Sequence, residues 1–225
     1  MKQYNVLKDI VLKRHEDQSL DLLSQPIDDL DTACLTHIEE NGIKHALDLG
    51  GGAGKHSIRM AQAGARVTLI DRQDPSHNIQ TVEEAGICSK GQINLVQTEF
   101  TDIDFDAIGT YDLVYSQRAL NYLPYKDFMS LTEKLIDGLP PLGHFYLSVS
   151  GFDNEFGKTL DKRDMPLPER YGLPSEEMQK KHKIYTPTLV FKQEEIEGIM
   201  KDFGMEILSS SVSTFGNVKI IAVKV

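Results

Sequence analysis

The sequence predicts an α/β fold: a seven-stranded, mostly parallel sheet with helices on both faces and one antiparallel strand near the C-terminus. Three observations predict it. Strand-like apolar runs alternate with helix-like runs from Ala46 to about residue 150, a glycine turn "GGGAG" joins the first strand of that series to its first helix, and two strand-like runs surround "TFGN" near the end. Regular alternation demands right-handed crossovers, hence a parallel sheet covered on both sides. A short turn between two strands makes a hairpin, which reverses one strand.

Taken in order, residues 1–44 read as a helical cap. Ile27, Leu30, Cys34, Leu35 and Ile38 recur at helical spacing, Pro26 marks a start and Gly42 an end, and Asp28, Asp29 and Asp31 supply the negative charge an early helical turn favours. "HALDL" is then a buried strand, "KHSIRMAQAG" a helix closed by Gly64, and "ARVTLID" a second strand. "NIQTVEEAG" is a helix closed by Gly86, and "QINLVQTEF" and "YDLVYSQ" are the third and fourth strands. "YKDFMSLTEKLIDGL" is a helix stopped by Pro140 and Pro141, and "GHFYLSVS" is the fifth strand. Residues 151–187 break the rhythm with prolines and little periodicity, "FKQEEIEGIMKDFG" restores a helix, and "MEILSSSVS" and "NVKIIAVKV" form the hairpin.

The 225 residues suit one domain, with 151–187 as an insertion within it. A net charge of −10 argues against nucleic acid and anionic membrane as partners. The two cysteines, Cys34 and Cys88, sit at no metal-ligand spacing and form no disulfide framework, so no metal site is expected and a reducing compartment is. The opening "MKQYNVLKDIVLKRHEDQS" is too charged for a signal peptide, and no apolar run approaches the roughly 20 residues of a membrane helix. A cytoplasmic protein, monomer or homodimer, is the expectation.

The glycine turn admits three ligands. The dinucleotide fingerprint G-x-G-x-x-G fails, because its third glycine falls on Lys55 or Ser57, and Asp48 at the end of the first strand would repel a pyrophosphate. The triphosphate loop G-x-x-x-x-G-K-[ST] fails at Leu49 and at His56. An acid-x-G-x-G-x-G pattern through Asp48, Gly50, Gly52 and Gly54 fits, with Asp71 placed 21 residues after Gly50 to accept hydrogen bonds from a ribose. The indicated ligand is a nucleoside with a cationic amino-acid tail.

"LDLGGGAGKHS", "VTLID", "NLVQTEFTDIDF" and "YDLVYSQRALNYLP" together resemble the ordered motifs of class I S-adenosylmethionine-dependent methyltransferases, over about residues 44–150. The resemblance implies a Rossmann-like three-layer sandwich, S-adenosyl-L-methionine as cofactor and a small-molecule acceptor methylated on O, N or C. It assigns Asp48 to the methionine amino group, Gly50 and Gly52 to the floor beneath the methionine, Gly54 to helix packing and Asp71 to the ribose. Gly51 shares the turn and has an alternative reading as a residue of the turn alone. Arg72 follows near the adenine. Glu99 stands where the family often has Asp, with Phe100 after it; Ser116 and Gln117 end the fourth strand; Asn121 and Tyr122 fall beside the transferred methyl.

Methyl transfer from a sulfonium releases a neutral leaving group, so alignment carries much of the acceleration. A base is needed only where the acceptor must lose a proton. The catalytic residue is therefore unassigned, with His56, Tyr122, His144, His182 and Tyr185 as candidates. Residues 151–187 lie after the fifth strand, at the carboxyl edge where open α/β sheets bind ligands, and read as a lid or acceptor-site wall. Two other functions compete: a non-catalytic S-adenosylmethionine-binding regulator or partner subunit, and an aminopropyltransferase of the spermidine synthase type. The second expects paired acids after the fourth strand, where this chain has "YSQR". A nicotinamide dehydrogenase is a residual option.

Overall fold

The structure, a computed structural model, describes residues 27–225. The helical expectation for residues 1–26, including Pro26 as a helix start, lies outside the described residues. Strands β1 (His45–Leu49), β2 (Arg66–Asp71), β3 (Ile93–Gln97), β4 (Leu113–Gln117), β5 (His144–Val149), β6 (Met205–Val212) and β7 (Val218–Lys224) form one sheet in the order β3-β2-β1-β4-β5-β7-β6. Strands β1 to β5 pair in parallel, and β7 runs antiparallel to both β5 and β6. The α/β fold, the seven strands and the single reversed strand are as the alternation predicts. The strand order reverses between β1 and β4, so their carboxyl ends open the crevice in which such sheets hold ligands.

Helices α1 (Asp29–Asn41), α2 (Lys55–Ala63) and α3 (Ser76–Glu84) cover one face of the sheet. The short α4 (Phe105–Ile108) and then α5 (Tyr125–Asp137) cover the other; α6 (Glu155–Thr159) and α7 (Glu176–His182) lie in the insertion, and α8 (Gln193–Asp202) joins α5. The central strands are buried on both sides. Leu47 and Leu49 of β1 join Phe128, Leu135 and Ile196, while Ala46 joins Cys34, Ile58 and Val67. Alternate side chains of one strand therefore feed two cores, which is why every position of "HALDL" is buried and both its faces carry apolar residues.

Helix α1 begins with a capping box in which the Asp28 side chain accepts from the Asp31 amide and the Asp31 side chain from the Asp28 amide. It ends at Gly42 in the left-handed region. Strand β3 is shorter than "QINLVQTEF" suggests, because the chain turns into a 3-10 turn over Phe100–Asp102. No helix among the described residues is long and apolar enough to cross a membrane.

Residues 151–187 carry more order than their composition suggests, and side-chain ties to backbone supply it. The guanidinium of Arg170 is buried and donates to Glu195 on α8 through two bonds of 2.8 and 2.9 Å, and to the Val190 carbonyl at 3.0 Å. Arg163 lies 3.6 Å over the Phe152 ring, with Arg170 at 4.8 Å and Lys192 at 5.1 Å. Burial alone would raise the Glu195 carboxyl, but the Arg170 hydrogen bonds, the Lys192 amide and the charges of Arg170 and Lys192 together hold it below its ordinary value. Glu195→Ala strands a buried cation and should destabilise the protein by about 3 kcal/mol, read by urea unfolding. Amide exchange should rise first in 151–187; a protected insertion in the variant would refute the clamp.

Candidate functional site

The candidate site is built where β1 ends. Gly50, Gly52 and Gly54 take φ of +73°, +53° and +82°, a backbone region that side-chain-bearing residues rarely enter. The turn is fastened at both ends: the Gly50 amide donates to the Ile70 carbonyl at 2.8 Å and the Gly54 amide to the Gly51 carbonyl at 2.9 Å. The four glycines have different neighbours. A Cβ on Gly50 would sit 2.2 Å from the Ala119 methyl, and one on Gly51 would sit 2.8 Å from both Asp48 Oδ2 and Leu69. One on Gly54 would meet Leu69 at 3.4 Å, whereas one on Gly52 would meet nothing within 4 Å. Protein packing thus demands glycine at 50 and 51, and the space above Gly52 is open.

Asp71 ends β2 and ties the turn to it. Its Oδ2 accepts from the Gly52 amide at 2.8 Å and its Oδ1 from the Gln73 amide at 2.9 Å. Each carboxylate oxygen retains accepting capacity beyond these bonds. Asp48 is 2 % exposed and accepts from Ser57 Oγ at 2.5 Å. Burial raises its carboxyl to about 7, against the pull of the Ser57 hydrogen bond and with help from the charges of Asp71 and Asp31.

Helix α1 covers this place. The Tyr115 hydroxyl donates to Asp31 Oδ1, Gln117 Nε2 donates to Asp28 Oδ2 at 2.8 Å, and Lys219 Nζ on β7 reaches Asp28 at 2.7 Å and also Asp29. Beneath α1 the His56 ring stacks on Tyr115 with centroids 3.9 Å apart, and its Nδ1 lies 3.3 Å from Asp31 Oδ1. Burial lowers His56 to about 4 despite the nearby Asp31 carboxylate, so its ring is neutral. Asp28, Asp31, His56, Tyr115 and Gln117, with Asp48, Gly50, Gly51, Lys55 and Arg59, line a cavity of about 80 Å³.

The other expected residues divide. Phe100 packs against the turn, 3.5 Å from where a Gly50 Cβ would stand, while Arg72 and Glu99 are exposed on the same rim. Ser116 is buried and donates to the Leu49 carbonyl at 3.2 Å. Asn121 is buried and donates to Thr188 Oγ1 at 3.0 Å, which binds the turn after β4 to the segment following the insertion. Tyr122 is partly exposed. Burial raises its phenol, and Arg118 and Arg72 pull the other way. His182 meets Glu155 at 2.8 Å and links α7 to α6; Tyr185 is exposed.

His144 needs correction as a catalytic candidate. It begins β5 in register with Leu113, so it stands at the amino end of the strands, while the glycine turn is at the carboxyl end. There its ring meets that of His37 edge-on at 3.9 Å. A wider concavity of about 240 Å³ also opens at the amino end, around Gly42, Lys44, Asp112 and Pro141, and none of the expected site residues lines it.

Five residues of the cavity were missed in the sequence: Asp28, Asp31, Lys55, Arg59 and Tyr115. Asp31 carried a signal. It falls four residues before Leu35 and seven before Ile38, on the apolar stripe of α1, so an acid was directed inward.

Comparison with known proteins places this geometry among relatives. Residues 46–143 match the family model described as a methyltransferase domain. The ubiquinone biosynthesis O-methyltransferase of Marinobacter nauticus is 30% identical over 130 residues, which is 56% of this chain and 53% of that protein. The chain thus spans about half the length of that relative. A 1,6-didemethyltoxoflavin-N1-methyltransferase from Burkholderia thailandensis, solved with 1,6-didemethyltoxoflavin and S-adenosylhomocysteine, superposes with a TM-score of 0.62 at 16% identity, over 87% of this chain and 78% of that one. An S-adenosylmethionine-dependent methyltransferase from Methanosarcina mazei gives 0.64 at 22%, over 85% and 97%. At these identities the structural likeness is one of fold.

Proposed function

We propose, from the match of residues 46–143 to a methyltransferase-domain model, that this protein transfers a methyl group from S-adenosyl-L-methionine to an O, N or C atom of a small molecule. One observation carries the reading. The glycine turn leaves open space above Gly52, whose amide donates to Asp71, and the buried Asp48 carboxylate lies against Gly51. That arrangement, with two acids beside the turn, suits a ribose and an ammonium together. When bound, the cofactor supplies an electrophilic methyl on a sulfonium.

In this reading the residues divide the work. Asp71 accepts from the ribose hydroxyls, Asp48 faces the ammonium, and the exposed rim at Arg72, Glu99 and Phe100 borders the adenine. Asn121, through Thr188, fixes the turn beside the methyl, where Tyr122 stands. Residues 151–187 form the acceptor wall or lid of a single domain. Neutral His56 is enclosed beneath α1, which favours a part in holding the cofactor over one in moving an acceptor proton. The protein works in the cytoplasm, as a monomer or homodimer. The sequence Ser116-Gln117-Arg118 at the end of β4 lacks the paired acids an aminopropyl transfer would use.

Titration calorimetry with S-adenosylmethionine and S-adenosylhomocysteine tests binding; no heat from folded protein with either would defeat the reading. Incubation with methyl-labelled cofactor and a fractionated extract tests turnover. Tight binding with no labelled product would favour the regulator reading. Asp71→Ala should weaken binding by roughly 1.5–3 kcal/mol, or about 10- to 150-fold.

A further inference from the structure

We propose that Arg118 receives the methyl acceptor, and that it selects a small organic anion. This rests on the function proposed above and narrows its substrate class. Arg118 follows the last residue of β4 and takes φ +54°, a left-handed conformation that suits glycine and costs a residue with a side chain. Its amide donates to the Ser148 carbonyl of β5 at 2.8 Å, so the strained residue is fastened where β4 and β5 end together. Strain that the surrounding structure holds in place gathers at sites that bind or react.

Arg118 stands between the glycine turn and the insertion. The next residue, Ala119, is the one a Gly50 Cβ would strike, and β5 runs on at Val149 toward Gly151, where the insertion begins. The turn that Arg118 opens is tied to the insertion again through the Tyr171 hydroxyl, which donates to the Tyr122 carbonyl at 3.0 Å. Arg72 comes one residue past β2, on the other side of β1 from β4. The charges of Arg118 and Arg72 both reach the Tyr122 phenol, so two cations converge at this mouth in a chain of net charge −10. The nearby acids have their own partners or neighbours: Lys219 and Gln117 hold Asp28, the Gly52 and Gln73 amides hold Asp71, and Asp127 bears on Tyr171. A guanidinium carries five N–H donors in one plane and meets a carboxylate edge to edge through two of them. An anion on Arg118 would lie beside Ala119 and Tyr122, next to the place given above to the methyl.

The experiment passes a deproteinised cell extract over an anion exchanger at pH 8. Each fraction is incubated with the protein and methyl-labelled S-adenosylmethionine, and transferred label is counted against a protein-free control. Label should come from the retained fractions. With a dilution series of the active fraction, Arg118→Met should raise the apparent KM for the acceptor roughly 10- to 100-fold, and Arg118→Lys should fall between. Affinity for S-adenosylhomocysteine, read by calorimetry, should stay within about twofold in both variants, which a merely structural role would not allow. Label only from the unretained fraction, an unchanged KM in Arg118→Met, or an equal loss of S-adenosylhomocysteine affinity would overturn the assignment. If Arg118→Met fails to melt cooperatively, Arg118→Gly, which suits the backbone at that φ, decides on the same criteria. A chain that binds S-adenosylhomocysteine yet labels nothing in any fraction would overturn the proposed function itself, and this assignment with it.

Discussion

Asp48→Asn should make the ligand-free protein more stable at pH 8 and a poorer binder. The Asp48 carboxyl moves from an ordinary 3.8 to about 7 because burial disfavours its charge. Between those values the folded chain holds a proton the unfolded chain has released, so stability falls as pH rises through that window, and the whole deficit is present above about pH 7. Asparagine keeps an oxygen to accept from Ser57 and carries no charge. The gain should be on the order of 2–4 kcal/mol at pH 8 and should vanish toward pH 4, read by urea unfolding at several pH values. Ligand affinity moves oppositely. In the unaltered chain it should climb with pH up to about 7 and then level off, as Asp48 becomes available to an ammonium. In Asp48→Asn it should be pH-independent over that range and lower by roughly 10- to 100-fold at pH 8. A flat affinity profile in the unaltered chain would remove Asp48 from the ammonium's side.

The second large effect is expected at Gly50, where the new Cβ would lie 2.2 Å from the Ala119 methyl on a backbone at φ +73°. Gly50→Ala combines the left-handed penalty of about 1–2 kcal/mol with an overpacking penalty of about 1–3 kcal/mol. The turn after β4 must shift to admit the methyl, and a loss of about 2–5 kcal/mol follows. Gly52→Ala is the control. It bears a similar φ of +53° but has open space, so it should lose only about 1–2 kcal/mol. Its methyl enters the space assigned to the ligand, so its binding loss should far exceed its stability loss. Unfolding and calorimetry on the two variants separate a glycine the fold needs from one the ligand needs; equal unfolding losses would refute the distinction.

The sheet was legible because its strands and helices each obey one period. "HALDL" and "ARVTLID" are apolar on both faces, the helices between them close on Gly64 and near Gly86, and the hairpin shows in its turn residues. The glycine turn and Asp71 were legible for the same reason: a sharp bend and a carboxylate at a fixed separation leave a linear trace. The cavity under α1 left almost none. It is made by side chains from α1, α2, β4 and the glycine turn, and only the folded sheet brings Asp31, Tyr115 and Arg59 together. Arg59 sits between Ile58 and Met60, where a helix reading alone gives no reason to turn a guanidinium inward. His144 misled because a histidine at a strand boundary gives no sign of which end of the sheet it occupies until the direction of the strand is known. The order of 151–187 was hidden likewise, since Arg163 and Arg170 bond carbonyls and a ring, contacts without any periodicity.

The Lys219 contact with Asp28 spans 191 positions. On a ribosome, α1 emerges long before the strand that carries its cation, and the acids at its start wait through the synthesis of nearly everything between. A nascent chain halted before Lys219 would have the glycine turn and β1 to β5 in place, yet nothing on β7 to draw the roof of the cavity shut. The contact that closes the cavity therefore forms only once β7 is available, and it joins the start of α1 to the C-terminal hairpin.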